Sequence, residues 1–371
     1  MSSITAITMP KWGLTMTEGK VVHWLKPQGA SFAPGEELLE IETSKITNVV
    51  EAEGDGTLAR IVAPEGSTLP IGALLAVVAP ADTPASEVEA FVAQFVVAAP
   101  EEEAEAEAAA AEPQELEAGG RRLRYLQQGS GEALPVLLLH GFGADLNSWM
   151  FNQPVLAEGS RVIALDLPGH GGSSKEVGDG DAALIEAAES ALDALAIERV
   201  HLVGHSLGGA IAAALAARRP ARVATLTLIA PAGLGPEINA AFIDGFVRAA
   251  RRKDAVEVLQ LLVHDPSLVS RTMIEDVLRY KRLDGVGVAL QTIAQAWFPG
   301  GRQTHSLLAA LNAHAVPVQV IWGRDDRIIP ASHAQALGAR GAVHILDAAG
   351  HLPHMEKSSE VNRLIRRFIG E

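Results

Sequence analysis

The sequence predicts a two-domain protein: a small all-β domain, built as a flattened barrel or sandwich, and an α/β domain with a mainly parallel sheet and a helical cap. An internal repeat of short apolar runs separated by Pro and Gly occupies the first 80 residues. After residue 118, apolar strands alternate with helical stretches, and an acidic segment separates the two regions. We therefore expect domains at 1–80 and 118–371, joined by a linker at 81–117.

The β domain is predicted from a repeat with a period of 37 residues. Two copies of one β-rich unit indicate quasi-twofold symmetry. The junction between the copies contains Lys45, which we expect at the tip of a hairpin flanked by Glu40 and Glu42 on one side and Glu51 and Glu53 on the other. Several residues recur identically 37 positions later: Gly19, Pro27, Gly29, Gly35 and Leu38.

The region around Lys45 resembles the lipoyl domains of 2-oxoacid and acetoin dehydrogenase complexes. The similarity covers about residues 2–79 and is carried by Met9-Pro-Lys-Trp-Gly-Leu-Thr-Met-Thr-Glu-Gly19 and Glu40-Ile-Glu-Thr-Ser-Lys-Ile46. It implies lipoate in amide linkage on Lys45, as N6-lipoyllysine. Biotin carriers usually have Met on both sides of the lysine, and Ser44 and Ile46 do not match that pattern. Because the chain has no cysteine, thiol chemistry must come from such a cofactor.

Acidic residues concentrate in the linker. Of the 45 Asp and Glu residues, 11 lie within 81–118, which contains no Lys or Arg, and the whole chain has a net charge of −15. The balance argues against a nucleic-acid partner, which requires clustered positive charge. A flexible tether of this length spans about 30 to 35 Å. An apolar helical stripe occurs inside it, predicted either to pack on one of the chain's own domains or to dock a partner subunit: Val88, Phe91, Val92, Phe95 and Val96.

No targeting or membrane segment is expected. The chain has no run of about 18 apolar residues, and its first residues lack a basic region followed by an apolar core. We predict a cytoplasmic location and no membrane partner. The absence of cysteine excludes thiolate metal sites, and no metal site is predicted.

The second domain is organised around a strand that runs into Gly204-His-Ser-Leu-Gly208, with an alanine-rich helix behind it. A sharp turn from strand to helix exposes its central residue at the edge of the sheet, and the two glycines allow the close backbone approach that the turn needs. Ser206 is therefore a candidate nucleophile. A serine hydroxyl requires a histidine base and an acid that orients the base, and both residue types follow in the order Asp, His.

Together with His140-Gly-Phe-Gly143, this motif resembles the α/β-hydrolase family over roughly residues 116–371. The family resemblance implies that the backbone N–H groups of Phe142 and Leu207 form the oxyanion hole. Gly323-Arg-Asp-Asp-Arg-Ile-Ile-Pro330 matches its Gly-x-x-Asp-x-x-x-Pro pattern, which selects Asp326 as the acid and leaves Asp325 as the runner-up. His351, which follows Gly350 in the terminal loop, matches the base.

Three further histidines are expected to be structural. His140 is predicted to brace its loop, His205 to be structural or to line the pocket, and His354 to lie near the base without acting as one. Helix-like stretches interrupt the strand rhythm over about 232–300 and predict a cap. Trp297 and Phe298 either line a pocket under this cap or belong to its core.

The combination of the two domains resembles the acyltransferase component of acetoin dehydrogenase complexes, in which an α/β-hydrolase-like domain replaces the usual acyltransferase core. The resemblance implies transfer of an acetyl group from lipoyl-Lys45 to coenzyme A through Ser206, His351 and Asp326. It also implies two partners, a thiamine-diphosphate enzyme and a flavin-dependent dihydrolipoamide dehydrogenase; self-association is left open.

Two other hypotheses stay open. In one, the chain is a lipoylated esterase or thioesterase that uses water as the acceptor. In the other, the second domain only presents the lipoyl arm.

Overall fold

The computed structural model describes residues 4–10, 12, 16, 18–43, 47–52, 54–80, 83–95, 112–131, 133–178, 181–313 and 315–370. It divides into two compact units, one largely within residues 1–110 and the other largely within 111–371. None of the helices in the described ranges has the length and apolar character that a bilayer span requires.

The first unit consists of two antiparallel four-stranded sheets with orders β1-β8-β6-β3 and β5-β4-β2-β7. Apolar side chains between the sheets form its core, with Leu39, Ile41 and Leu58 fully buried. The fold class predicted for this region is confirmed. The strands are β1 Thr5–Thr8, β2 Glu18–Trp24, β3 Ser31–Phe32, β4 Glu37–Glu42, β5 Thr47–Glu51, β6 Gly56–Ile61, β7 Thr68–Pro70 and β8 Leu74–Val78.

The sequence repeat is visible in the hydrogen bonds of this unit. Gly29 N–H donates to the Leu58 carbonyl, and Gly66 N–H donates to the Val21 carbonyl, both at 2.7 Å. Each donor and each acceptor is related to its counterpart by the 37-residue shift. Gly29 and Gly66 both have positive φ, 90° and 84°, which is why each copy has glycine at this turn.

Helix α1, Ala85–Gln94, packs on the first unit. Val88 is buried with Leu74 and Val77, and Phe91 and Phe95 lie against the same cluster. The apolar stripe inside the predicted linker therefore covers the chain's own β unit. Val96, the last residue of the stripe, lies outside the described residues.

The second unit is built on an eight-stranded sheet of order β16-β15-β14-β13-β11-β12-β10-β9. The strands from β16 to β12 are parallel, and β10 pairs antiparallel with both β12 and β9. The mainly parallel α/β class is confirmed. The strands are β9 Gln114–Ala118, β10 Arg121–Gln128, β11 Val136–Leu139, β12 Val162–Leu165, β13 Val200–His205, β14 Val223–Ile229, β15 Val318–Gly323 and β16 Ala342–Leu346.

The helices of this unit lie between and after the strands. They are α2 Gln153–Leu156, α3 Asp181–Ala194, α4 Leu207–Arg218, α5 Ala240–Arg248, α6 Arg252–Leu259, α7 Arg271–Lys281, α8 Val286–Trp297, α9 Leu308–Asn312, α10 Pro353–Glu356 and α11 Ser358–Ile369. Helices α5 to α8 fall between β14 and β15, within the span predicted as a cap.

Strand β9 begins inside the segment predicted as linker. Gln114 pairs with Tyr125 of β10, and the Tyr125 hydroxyl donates to the Gln114 side chain at 2.6 Å. Composition alone concealed this strand, because Gln-Glu-Leu-Glu-Ala is as acidic as the tether before it. Its alternation puts Leu116 half-buried and Ala118 buried on the sheet.

Candidate active site

Ser206 lies at the turn between β13 and α4. Its backbone has φ 53° and ψ −115°, a left-handed conformation that a non-glycine residue adopts only when its surroundings enforce it. The turn is enforced by close packing, since a Cβ on Gly208 would lie 2.2 Å from the Leu139 carbonyl oxygen at the end of β11. The serine is thus held at the carboxyl edge of the sheet, where ligand sites of such sheets lie.

The structure brings the predicted base and acid to this serine. His351 Nε2 lies 3.0 Å from Ser206 Oγ, and His351 Nδ1 lies 2.8 Å from Asp326 Oδ2. Ser206 is 6% exposed and His351 is 2% exposed. Because the Asp326 carboxylate accepts from Nδ1–H, Nε2 is left to accept the serine proton.

The acid is fixed by three further donors. Asp326 Oδ1 accepts the backbone N–H of Ile328 at 2.8 Å and of Ile329 at 3.0 Å. Oδ2 accepts the indole N–H of Trp322 at 2.8 Å. Sequence reasoning missed Trp322, and the only signal was its position in β15, four residues before Asp326.

Asp325, the runner-up for the acid, points elsewhere. Its Oδ2 lies 2.9 Å from Nδ1 of His264, and both side chains are nearly half exposed. In this structure Asp325 is therefore not the partner of His351, and the alternative assignment of the acid is wrong.

The predicted oxyanion donors flank Ser206. Leu207 follows it at the start of α4, and a Cβ on Gly141, next to Phe142, would lie 3.2 Å from Ser206 Cβ. In the described part of the chain, neither the Phe142 N–H nor the Leu207 N–H donates to another protein group. Both amides are thus free to receive an acceptor from a substrate.

The neighbouring histidines are buried and neutral. Nδ1–H of His140 donates to the Gly141 carbonyl at 2.8 Å, and Nε2 accepts from Leu167 N–H at 3.0 Å. His140 therefore ties the Phe142 loop to the loop after β12. Nε2 of His205 lies 2.8 Å from the His351 carbonyl, and the His205 ring packs at 4.5 Å from that of His354. Burial lowers the pKa of His205 well below its ordinary value and that of His354 to about 3.

Aromatic rings of the cap cover the oxyanion loop. The Phe142 ring packs edge-on against Phe246 of α5 at 5.9 Å and against Phe298 at 6.2 Å. A Cβ on Gly143 would lie 2.3 Å from the Phe246 ring, so this ring rests directly on the backbone of the loop. Trp297 instead stacks at 4.5 Å on His305 and belongs to the cap core.

The candidate carrier lysine is not placed by the structure. Lys45 lies outside the described residues; in the sequence it falls between β4 and β5, which pair with each other. Glu42 at the end of β4 is opposite Thr47 at the start of β5. Glu42 and Lys20 form an exposed ion pair at 3.8 Å on the neighbouring strands.

The chain matches two family models. An α/β hydrolase fold model covers residues 135–358, and a biotin/lipoyl model described as biotin-requiring enzyme covers residues 5–78. The meta-cleavage product hydrolase of Pseudomonas fluorescens IP01 has a similar structure, with 25% identity and a TM-score of 0.63 over 69% of this chain and 96% of that one.

Two relatives are similar over both domains. The dihydrolipoyllysine-residue acetyltransferase component of the acetoin cleaving system of Pseudomonas putida is 47% identical over 100% of this chain and 99% of its own. The component of the same name from Cupriavidus necator is 43% identical over 99% and 98%. The chain is therefore an α/β hydrolase fold joined to a biotin/lipoyl carrier domain. More narrowly, it belongs to the family of dihydrolipoyllysine-residue acetyltransferase components of acetoin cleaving systems.

Proposed function

We propose that this chain transfers an acetyl group from a lipoyl group on Lys45 to coenzyme A, through Ser206, His351 and Asp326. The observation that carries the proposal is the continuous hydrogen-bonded series from Ser206 Oγ through His351 to Asp326, at 3.0 and 2.8 Å, in a chain that also contains a carrier domain. The full-length similarity to acetyltransferase components supports the choice of reaction.

The residues around Lys45 fit a carrier lysine. The ends of β4 and β5 meet at Glu42 and Thr47, and Lys45 occurs in the short connection between them. When bound, the lipoyl group supplies a thiol that holds the acetyl group as a thioester. The chain itself has no cysteine that could do so.

Acylation begins at the serine. Ser206 Oγ attacks the thioester carbonyl while its proton passes to His351 Nε2. The backbone N–H groups of Phe142 and Leu207 hold the resulting oxyanion, and one such donor contributes about 3 to 4 kcal/mol in the transition state. His351 then returns the proton to the leaving sulfur as the carbon–sulfur bond breaks, and acetyl-Ser206 remains.

Deacylation runs the same steps in reverse with a different thiol. Nε2 of His351 accepts the proton of the coenzyme A thiol, whose sulfur attacks the acetyl-Ser206 carbonyl. The ester bond breaks, and Ser206 Oγ regains its proton from His351. Throughout, the Asp326 carboxylate fixes the imidazole orientation and balances its positive charge.

The proposal assigns two partner enzymes to the cycle. A thiamine-diphosphate enzyme that cleaves acetoin loads the carrier, and a flavin-dependent dehydrogenase reoxidises it. The names of the two full-length relatives, components of an acetoin cleaving system, support this placement.

Hydrolysis is the second candidate function, because the solved meta-cleavage product hydrolase has the same fold as the unit that contains Ser206. The deciding measurement uses free acetyl-dihydrolipoamide and coenzyme A, with acetyl-coenzyme A and acetate quantified together. We expect acetyl-coenzyme A as the main product and its loss in Ser206→Ala. Acetate as the sole product would establish that the chain is a hydrolase. Undiminished acetyl transfer by Ser206→Ala would show that the second domain only presents the carrier.

The carrier half is tested separately by intact mass. The chain purified from its native cells should carry a lipoyl increment that Lys45→Arg abolishes and Lys20→Arg retains. Lys45→Arg should still transfer acetyl from free acetyl-dihydrolipoamide. An unmodified native chain would contradict the carrier assignment.

A further inference from the structure

The cap segment 260–264, which follows α6, contacts the two loops that hold the base and the acid. The backbone N–H of His351 donates to the Leu262 carbonyl at 2.7 Å. The Arg327 guanidinium, next to Asp326, donates to the Val263 carbonyl at 2.7 Å and also to the Gln260 carbonyl. Hydrogen bonds therefore join this segment of the cap to both catalytic loops.

Glu356 closes this junction. Its Oε1 accepts the Gly350 N–H at 2.8 Å, and its Oε2 accepts the His264 N–H at 2.6 Å. One carboxylate thus bridges the residue before the base to the end of the cap segment. Glu356 is itself only partly exposed.

The backbone around Gly350 is packed too closely to admit a side chain. A Cβ there would lie 2.7 Å from His264 N and 2.8 Å from the Leu262 carbonyl oxygen. The base loop and the cap segment are therefore in backbone contact, and a displacement of one displaces the other. In this arrangement His351 Nε2 lies 3.0 Å from Ser206 Oγ.

We infer that Glu356 is a positioning residue for the base: it holds the cap segment 260–264 on the Gly350–His351 backbone, so that His351 is aligned with Ser206 only while this end of the cap is seated. Glu356 touches neither the serine nor the acid and acts through the backbone of its neighbours. The inference rests on the proposed role of His351 as the base, and it holds for acyl transfer and hydrolysis alike.

The test compares Glu356→Gln, Glu356→Ala and the matched control Glu360→Gln, at a partly exposed glutamate on α11 that pairs with Arg363. Glutamine retains the shape but has one acceptor oxygen instead of two, so one of the two amides loses its partner. We expect kcat to fall about 10-fold in Glu356→Gln and about 100-fold in Glu356→Ala, with KM changed less than about twofold. Glu360→Gln should keep the activity of the unaltered chain.

A readout independent of the acceptor separates this inference from the proposed function. Labelling of Ser206 by a fluorophosphonate reports nucleophile activation whether coenzyme A or water follows. We expect labelling to slow in the order Glu356→Gln, then Glu356→Ala, at unchanged melting temperature for the glutamine variant. If the unaltered chain is labelled and both variants react at its rate, the inference is overturned; if the unaltered chain is not labelled, the proposed function has failed instead.

Discussion

Trp322 and His351 donate to the same atom. The indole nitrogen and the imidazole Nδ1 each lie 2.8 Å from Oδ2 of Asp326, while Oδ1 accepts two backbone amides. The carboxylate is therefore fully engaged and has one orientation, which in turn sets the orientation of the base.

Replacing the acid by its amide should remove most of the activity. Asp326→Asn puts an N–H donor or a weaker acceptor opposite Nδ1 and favours the wrong imidazole tautomer, so we expect kcat to fall by about 10⁴ with the fold intact. The measurement is acetyl transfer from free acetyl-dihydrolipoamide. Asp347→Asn, at an exposed aspartate paired with Arg324, is the control and should be unaffected.

Loss of the Trp322 indole N–H should reduce activity less than loss of the Asp326 carboxylate. Trp322→Phe keeps the buried ring but removes one charge-assisted donor, and the loss of such a bond costs about 1.5 kcal/mol. We expect kcat/KM to fall about tenfold with no change in the products. Activity equal to that of the unaltered chain would show that the two backbone amides orient the carboxylate on their own.

The conformation of Ser206 predicts an unusual order of stabilities. A non-glycine residue at φ 53°, ψ −115° is strained by about 1 to 3 kcal/mol, whereas glycine is not. Glycine also raises the entropy of the unfolded chain, which offsets part of the stabilisation from the relieved strain. The free energy of unfolding of Ser206→Gly should therefore be about 1 kcal/mol higher than that of Ser206→Ala. Both variants should lack activity. Urea unfolding of the two checks the difference, and equal midpoints would argue against strain at this turn.

Phe246 should control the fate of the acyl-enzyme, if the chain transfers acetyl as proposed. Its ring rests on the Gly143 backbone of the oxyanion loop, where we expect it to exclude water. Phe246→Leu should raise the ratio of acetate to acetyl-coenzyme A several-fold. Phe242→Leu is a matched control on the same helix, since Phe242 is about as buried and its ring packs on that of Phe246. A rise of similar size in the control would assign the effect to general loosening of the cap.

His354 should make the second unit sensitive to acid. Burial lowers its pKa to about 3, whereas an unfolded histidine titrates near pH 6.5. Between these values only the unfolded chain binds the proton, so stability falls as pH drops from about 6.5 towards 3, by up to about 1.4 kcal/mol per pH unit. His354→Phe should reduce this slope, measured by urea unfolding followed through helical circular dichroism. An unchanged slope would contradict burial of a neutral ring.

The sequence predicts the parts of the site that depend on motifs. Ser206, Asp326 and His351 follow from local patterns at strand ends, because parallel strands bring their carboxyl ends to one edge. The apolar period of α1 predicts a helix, but which surface it covers depends on contacts with Leu74 and Val77 that no local pattern records.

The junction with the cap was beyond sequence reasoning. Its acceptors are the carbonyls of Gln260, Leu262 and Val263, and every residue has such a carbonyl. The groups that donate to them, the Arg327 guanidinium and the His351 N–H, lie about 60 to 90 positions further along the chain. Strand β9 was hidden for a different reason, since its acidic composition matches the tether and only the pairing of Gln114 with Tyr125 reveals it.

The strand orders of the first unit have a consequence for its synthesis. Each sheet contains two strands from the first repeat and two from the second. Strand β1 pairs with β8, which lies more than sixty residues further along the chain. Neither repeat can therefore assemble its own two-layered core. If Lys45 is modified as proposed and its ligase requires a folded carrier domain, the ligase meets no substrate until Val78 has left the ribosome, and modification of the lysine follows completion of the whole carrier.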